Sequence, residues 1–356
     1  MYTRELRNSP EKIIHNGKPE FGTYEGYPKA LDIRDVRLPF GTVPLPKIIT
    51  NFRIKSSIMF FFNIGSYIGT VELQDQKIFG YVEVVFWSKE TQKKYVYRAF
   101  MGPRRRFIPH NMECGFSASF NKHRYIRISW DHKRDRISLI FNLKGDAARP
   151  SAQAAFLAHF KEPGINEVLT VVPAPTKSRC WANYSVTPTI RGSLSLSKTK
   201  TSSETTMEDT TGQAILSISR VYHNLYSHAE AVFSTGISDG KHFSFEIFST
   251  QENQVDTDKV NSNFIAVDGV CTPLPPVTIT HPFGLKNKWI IQDFENMVDL
   301  TFTPSSDHFR DMTFLIFHAQ IHTILGTFEG FIKTKDNETI TLHNFEGIAK
   351  NQMMRL

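Results

Sequence analysis

The 356-residue sequence predicts an all-β protein: two antiparallel barrel or sandwich domains with at most one or two short helices. Three observations lead there. Apolar residues recur at every second position in run after run, the pattern of half-buried strands. Two-residue turns containing glycine join several runs, because glycine accepts the positive φ that primed hairpin turns demand. Helix-period patterning is scarce. At roughly 100–200 residues per domain the length suits about two domains. With 40% hydrophobic and 22% charged residues the chain can build a core for each.

Along the chain, the first strong element is the apolar run Ile58–Ile68, entered through Phe52, Arg53, Ile54 and Lys55. Arg53 and Lys55 alternate with apolar neighbours, and charges on a buried strand are costly unless paired. A wet face for both is therefore expected. Ile126, Ile128 and Trp130 share one face, as do Ile137, Leu139, Phe141 and Leu143, with His132–Asp135 as the turn between. Ser151–Lys161 is Ala-rich behind Pro150 and predicts the one short helix. In Arg191–Thr211, 11 of 21 residues are Ser or Thr, so a strand carrying Leu194 and Leu196 is expected to run out into a mobile loop. That stretch divides the chain into domains of residues 1–205 and 206–356. The second repeats the strand pattern at Phe243–Ile247, Val298–Phe302 and Ile340–Leu342. Asp239-Gly240, Asp268-Gly269 and Lys335–Glu338 supply its turns.

The net charge of +7 is unevenly spread. Residues 1–150 carry 26 Lys and Arg against 14 Asp and Glu, and the remainder is mildly acidic. Such a split marks an anionic partner or mutual attraction of the halves. Three distant cysteines, Cys114, Cys180 and Cys271, make no C-x-x-C pair, so no disulfide framework and no Cys-ligated zinc is expected. The N-terminus lacks the apolar stretch of a secretory signal, and no run approaches the roughly 20 apolar residues of a membrane span. A cytoplasmic protein is expected. Neither G-x-x-x-x-G-K-[ST] nor G-x-G-x-x-G occurs, which argues against ATP and NAD chemistry. No cofactor and no metal is expected.

The order of several short motifs resembles an uncharacterised bacterial family, the domain of unknown function 2804. The motifs are HNGKPEFG (His15–Gly22), FRIKSSIMFFFN (Phe52–Asn63), NFIAVDG (Asn263–Gly269), KWIIQD (Lys288–Asp293) and VDLTFTP (Val298–Pro304), with Gly326, Phe328 and Gly330 near the end. The sequence departs from the family pattern at Val221–Phe233, where Trp-rich residues are usual, at Ser262, and at Lys350 in place of Glu. The family is similar in turn to two-domain lipocalin-like proteins of the carotenoid hydratase, tocopherol cyclase and fungal Diels-Alderase type. That likeness implies two lipocalin-like domains and an apolar pocket within or between the barrels.

Candidate site residues fall in three groups. His318, Gln320 and His322 share one strand face at roughly 6.6 Å per two-residue step; they form either a solvent-facing stripe or a pocket wall with two proton-handling imidazoles. A metal would need a third ligand that the local sequence does not supply. Tyr222, His223, Tyr226 and His228 cluster at the start of the second domain, and Trp181 and Tyr184 lie on the strand before the Ser/Thr-rich stretch. These are candidate proton donors (Tyr222, His223, His228) and lining residues (Trp181, Tyr184, Tyr226). The third group is basic: Arg104, Arg105, Arg106, Arg124 and Arg127, a candidate anion-binding rim or a solvated one. Nucleic acid is disfavoured, because no helix-turn-helix, zinc finger or RNP-like platform accompanies them. Gly236–Gly240 spells G-x-S-x-G, but a strand leaves it where a nucleophile elbow needs a helix, so Ser238 belongs to a hairpin tip.

The expected function is binding of an apolar small molecule in a Phe-rich barrel pocket, with cofactor-free hydration, isomerisation or cyclisation as a possible extension. The alternative is a non-enzymatic module whose basic half docks an anionic surface.

Overall fold

Alternation becomes strand almost throughout. The computed structural model describes residues 4–42, 44–104, 107–147, 149–174, 176, 178–197, 205–206, 209–250, 257–314 and 317–355. Their strands form a 15-stranded sheet, a nine-stranded sheet and a small two-stranded one. Ten strands build the region where the two large sheets meet. In chain order they are β1 (Ile54–Ile64), β2 (Tyr67–Asp75), β3 (Gly80–Ser88), β4 (Cys180–Val186), β5 (Thr210–Tyr222), β6 (Tyr226–Ser238), β7 (Lys241–Thr250), β8 (Val298–Phe314), β9 (Phe317–Lys333) and β10 (Thr339–Arg355).

In the first sheet β3, β2, β1 and β5 lie side by side. The other edge of β5 is shared between β4 and the strand Thr189–Ser197. The sheet curls over its own core: Phe62 on β1 meets Phe156 at 5.2 Å, and Phe86 on β3 meets Phe141 at 6.4 Å. In the second sheet β7, β6, β10, β9 and β8 follow in order, and Phe245 on β7 reaches Phe328 on β9 at 5.2 Å. Phenylalanines fill both cores, each buried ring contributing roughly 1.5–3 kcal/mol by leaving water.

Strands β8, β9 and β10 run 17 residues each. At about 3.4 Å per residue they extend some 55 Å, farther than one barrel core needs. Their far halves therefore leave the second core and lie against the first sheet, where Met312, Phe317, Ile321 and Met354 pack on Phe79 and Tyr81. Pro304 interrupts β8 at a register shift just beyond Phe302, the last residue paired with the strand on its other side. A missing N–H is tolerable at such a bulge.

Two expectations change. Ser151–Ala158 is a strand, with Ala152, Ala154, Phe156 and Ala158 inward, and it pairs with strands on both sides. Its alanines favour helix, but the every-second-residue apolar face and two waiting partner edges override a weak propensity. The only helix among the described residues is Lys47–Phe52, behind Pro46; no helix there is long and apolar enough to cross a membrane. The composition boundary at residue 205 also differs from the sheet boundary. Thr210–Tyr222 belongs to the first sheet, so the chain changes sheets between Tyr222 and Tyr226. Much of the Ser/Thr-rich stretch, 198–204 and 207–208, lies outside the described residues. The turn readings at Asp239-Gly240 and Asp268-Gly269 agree with the backbone, where all four residues have positive φ. Ser238 closes its strand at that hairpin tip.

Candidate functional site

Between the outer face of the first sheet and the overhanging strands of the second lies a cavity of about 240 Å³. Its floor follows from period two. On β1, Ile54, Ile58, Phe60 and Phe62 turn into the first core, which leaves Lys55, Ser57 and Met59 facing the second sheet. Cross-strand register then sets the floor in rows. Lys55, Val221 and Trp181 stand abreast on β1, β5 and β4, followed by Ser57, Ser219 and Asn183. Ser57 and Ser219 share a 2.8 Å hydrogen bond, and Ser217 donates to Asn183 at 2.8 Å. Trp181 meets Phe248 of β7 edge-on at 4.9 Å, giving the row an aromatic end.

Two rows along the strands, where Glu72 pairs with Met59, buried charges cross from sheet to sheet. Arg310 on β8, 1% exposed, donates to Glu83 at 2.5 Å and to Glu72 at 3.5 Å. Lys350 on β10 pairs with Glu72 as well, and His308 and Tyr81 reach Glu83 at 3.1 and 2.7 Å. Burial would raise the Glu72 carboxyl, but Lys350 and Arg310 outweigh it and hold it down to about 2. At the other end Lys55 is 3% exposed and donates to the Gln76 carbonyl at 2.7 Å. Burial, with Lys77 nearby, lowers its ammonium to about 8. Among the described residues no three His, Cys, Asp or Glu side chains converge as a metal site.

The sequence pattern of the domain of unknown function DUF2804 matches residues 5–356. The chain belongs to that family. Both sheets thus fall within one DUF2804 unit, and no curated protein matches the chain. Among solved structures, a candidate AttH from Nitrosomonas europaea is similar with a TM-score of 0.50 at 11% identity, covering 88% of this chain and 98% of that one. CghA bound to Sch210972 gives 0.48 at 8% identity, covering 85% and 89%. Kievitone hydratase from Nectria haematococca gives 0.45 at 9%, covering 85% and 88%. The fold of this DUF2804 protein is all-β and lipocalin-like.

Against that geometry the sequence candidates separate. Trp181, Tyr222, His223 and His228 border the cavity of the DUF2804 protein. His223 does so as a neutral ring, since burial, then Lys55 and Arg53, push it down to about 3. The Tyr222 hydroxyl donates to the Ile33 carbonyl at 2.8 Å, and burial raises it, so its proton is already committed to the first core. Alternation on β6 and β10 sends Lys350 and Gln352 with Ala229 and Ala231 toward the cavity, and turns His228 to Asn351 at 3.2 Å. Asn351 and His281 hold the Glu230 carboxylate there at 2.7 and 2.6 Å.

Other candidates lie elsewhere. Tyr184 is fully buried in the first core and donates to Glu167 at 2.9 Å. Tyr226 is exposed. His318 and Gln320 bond Asp311 at 2.9 and 3.2 Å, and His322 bonds Asp307 at 2.8 Å while stacking on Phe309. These three share one face of β9, as period two requires, but it is Ile321 between them that turns to the cavity. They form the outward stripe. His322→Ala should accordingly change the affinity of any cavity guest by less than about twofold, as surface substitutions do; a larger loss in a titration would put His322 back at the site. Arg104 and Arg127 lie over the exposed rings of Phe120 and Phe116, Arg124 donates to Ser119, and Arg105 and Arg106 lie outside the described residues.

The residues that sequence reading missed are Glu72, Glu83 and Arg310; Lys350 stands out there only as a departure from the family pattern, and Lys55 lacks the wet face expected of it. Glu72, Glu83 and Lys55 are charges inside largely apolar strands, which was the available signal, whereas Arg310 sits among Asp307, His308 and Asp311 and gives none.

Proposed function

We propose that this DUF2804 chain binds a small amphipathic molecule between its two sheets. One observation carries the reading: Lys55, Val221 and Trp181 stand abreast, so a charge and an aromatic ring face one cavity across about 10 Å, two strand spacings. Ligand sites combine such an apolar surface with a few placed polar groups. The fully apolar guest expected from sequence gives way to one with polar groups, because a purely apolar occupant would leave buried polar walls without new partners. Phenylalanines of the barrel cores do not form the site; their rings pack on each other.

Binding is favoured over conversion. The imidazole that borders the cavity beside Lys55, His223, sits at about 3, and a base so weak has little drive to take a proton near neutral pH. The three free cysteines fit a reducing, cytoplasmic setting.

Isothermal titration with 2-naphthalenemethanol tests the reading. One-to-one saturable binding is expected, and Val221→Trp, which fills the middle of the floor, should weaken it at least about tenfold. No binding to the wild-type chain, or equal affinity in Val221→Trp, would count against the site.

A further inference from the structure

We infer that the cavity selects an organic acid, seating its carboxylate on Lys55 and its apolar body across Val221 against Trp181. The inference rests on the binding reading above and adds the class of guest. Its ground is an imbalance of charge. At the Arg310 end every buried cation has a carboxylate within reach: Glu72 serves Lys350 and Arg310, and Glu83 serves Arg310. Lys55 differs. Among the described residues no carboxylate lies within ion-pair distance of its ammonium, and its hydrogen bond goes to a backbone carbonyl, that of Gln76. An ammonium has three donors.

Its neighbours make up only part of the difference: the ammonium lies 4.9 Å from the centre of the Phe52 ring, a contact that offers no hydrogen-bond acceptor oxygen. Asp75 is engaged by Lys77 at 2.9 Å, and Arg53 adds a further positive charge while donating to the His223 carbonyl at 2.7 Å. The buried end of the cavity is therefore electropositive and its hydrogen-bonding capacity incomplete. Burying a charge is costly unless a partner arrives. A guest carboxylate would be that partner, through charge-assisted hydrogen bonds that a neutral group cannot match. The aromatic end fixes the rest of the guest. Trp181, braced edge-on by Phe248, lies about two strand spacings, roughly 10 Å, from Lys55, which suits an acid with one or two rings.

The test compares 2-naphthoate, ionised at neutral pH, with 2-naphthalenemethanol, its uncharged counterpart, by isothermal titration. The acid is expected to bind at least about tenfold more tightly to the wild-type chain. Lys55→Met should weaken the acid at least about tenfold and remove its advantage over the alcohol, and Lys55→Arg should retain the preference. If the alcohol binds and the acid binds no better, the organic-acid inference falls and the cavity reading survives. If neither binds, the cavity reading falls and takes this one with it. The wild-type comparison decides the matter even if Lys55→Met does not fold.

Discussion

Arg310→Met is expected to destabilise the protein by about 3–5 kcal/mol, the cost of leaving a buried charge without its partner. The guanidinium lies between two sheets and answers two carboxylates, Glu72 and Glu83, both buried. Methionine keeps most of the side-chain volume, so packing changes little and the loss is electrostatic. After the change Glu72 still has Lys350, but Glu83 retains only His308 and Tyr81. Adding Glu83→Gln should therefore recover part of the loss, because the second change removes the stranded charge. Urea unfolding of the single and double variants reads both quantities. A loss below about 1 kcal/mol would mean that water in the cavity screens the pair as it does at a surface.

The second large effect concerns pH. Glu246 on β7 is fully buried on the face turned toward β4. Ser185 donates to one carboxyl oxygen, and the other has no partner among the described residues. Burial raises this carboxyl to about 7 against the opposing pull of Ser185. Between about 4.5 and 7 the native protein thus keeps a proton that the unfolded chain has released. Stability from this group is present below that window and declines as pH rises through it, by about 3 kcal/mol in all. Above pH 7 the contribution is flat. Glu246→Gln imitates the protonated form, so it should match the wild-type protein near pH 4 and exceed its stability by about that amount at pH 8. Urea midpoints at the two pH values give the comparison. A difference between variant and wild type that does not change with pH would contradict the assignment.

Both predictions concern residues in the middle of strands, and their legibility explains what the sequence could reveal. Alternation needs no knowledge of neighbours, so the strands of Arg124–Asp131, Arg136–Leu143 and Lys241–Thr250 could be read directly, as could their hairpin turns. The same alternation was present in Ser151–Ala158 but was masked by alanine, whose helix preference is small beside two sheet edges. Period two also showed that His318, Gln320 and His322 share a face. It could not show which face meets the other sheet, because both faces of β9 are covered or wet only by tertiary arrangement.

What the sequence determined by itself was therefore local and repetitive: an all-β chain, its hairpins, the inward phenylalanines and, through motif order, the family. Those properties depend on side chains a few residues apart. Tertiary structure alone decided that 17-residue strands overhang their own barrel and that Thr210–Tyr222 completes the first sheet. It also decided that Arg310 and Lys350 come to Glu72 from more than 200 residues away. A charge in an apolar strand announces that it needs a partner or a hollow. Only the packing of one sheet on the other supplies Glu72 for Arg310 and leaves Lys55 facing the cavity.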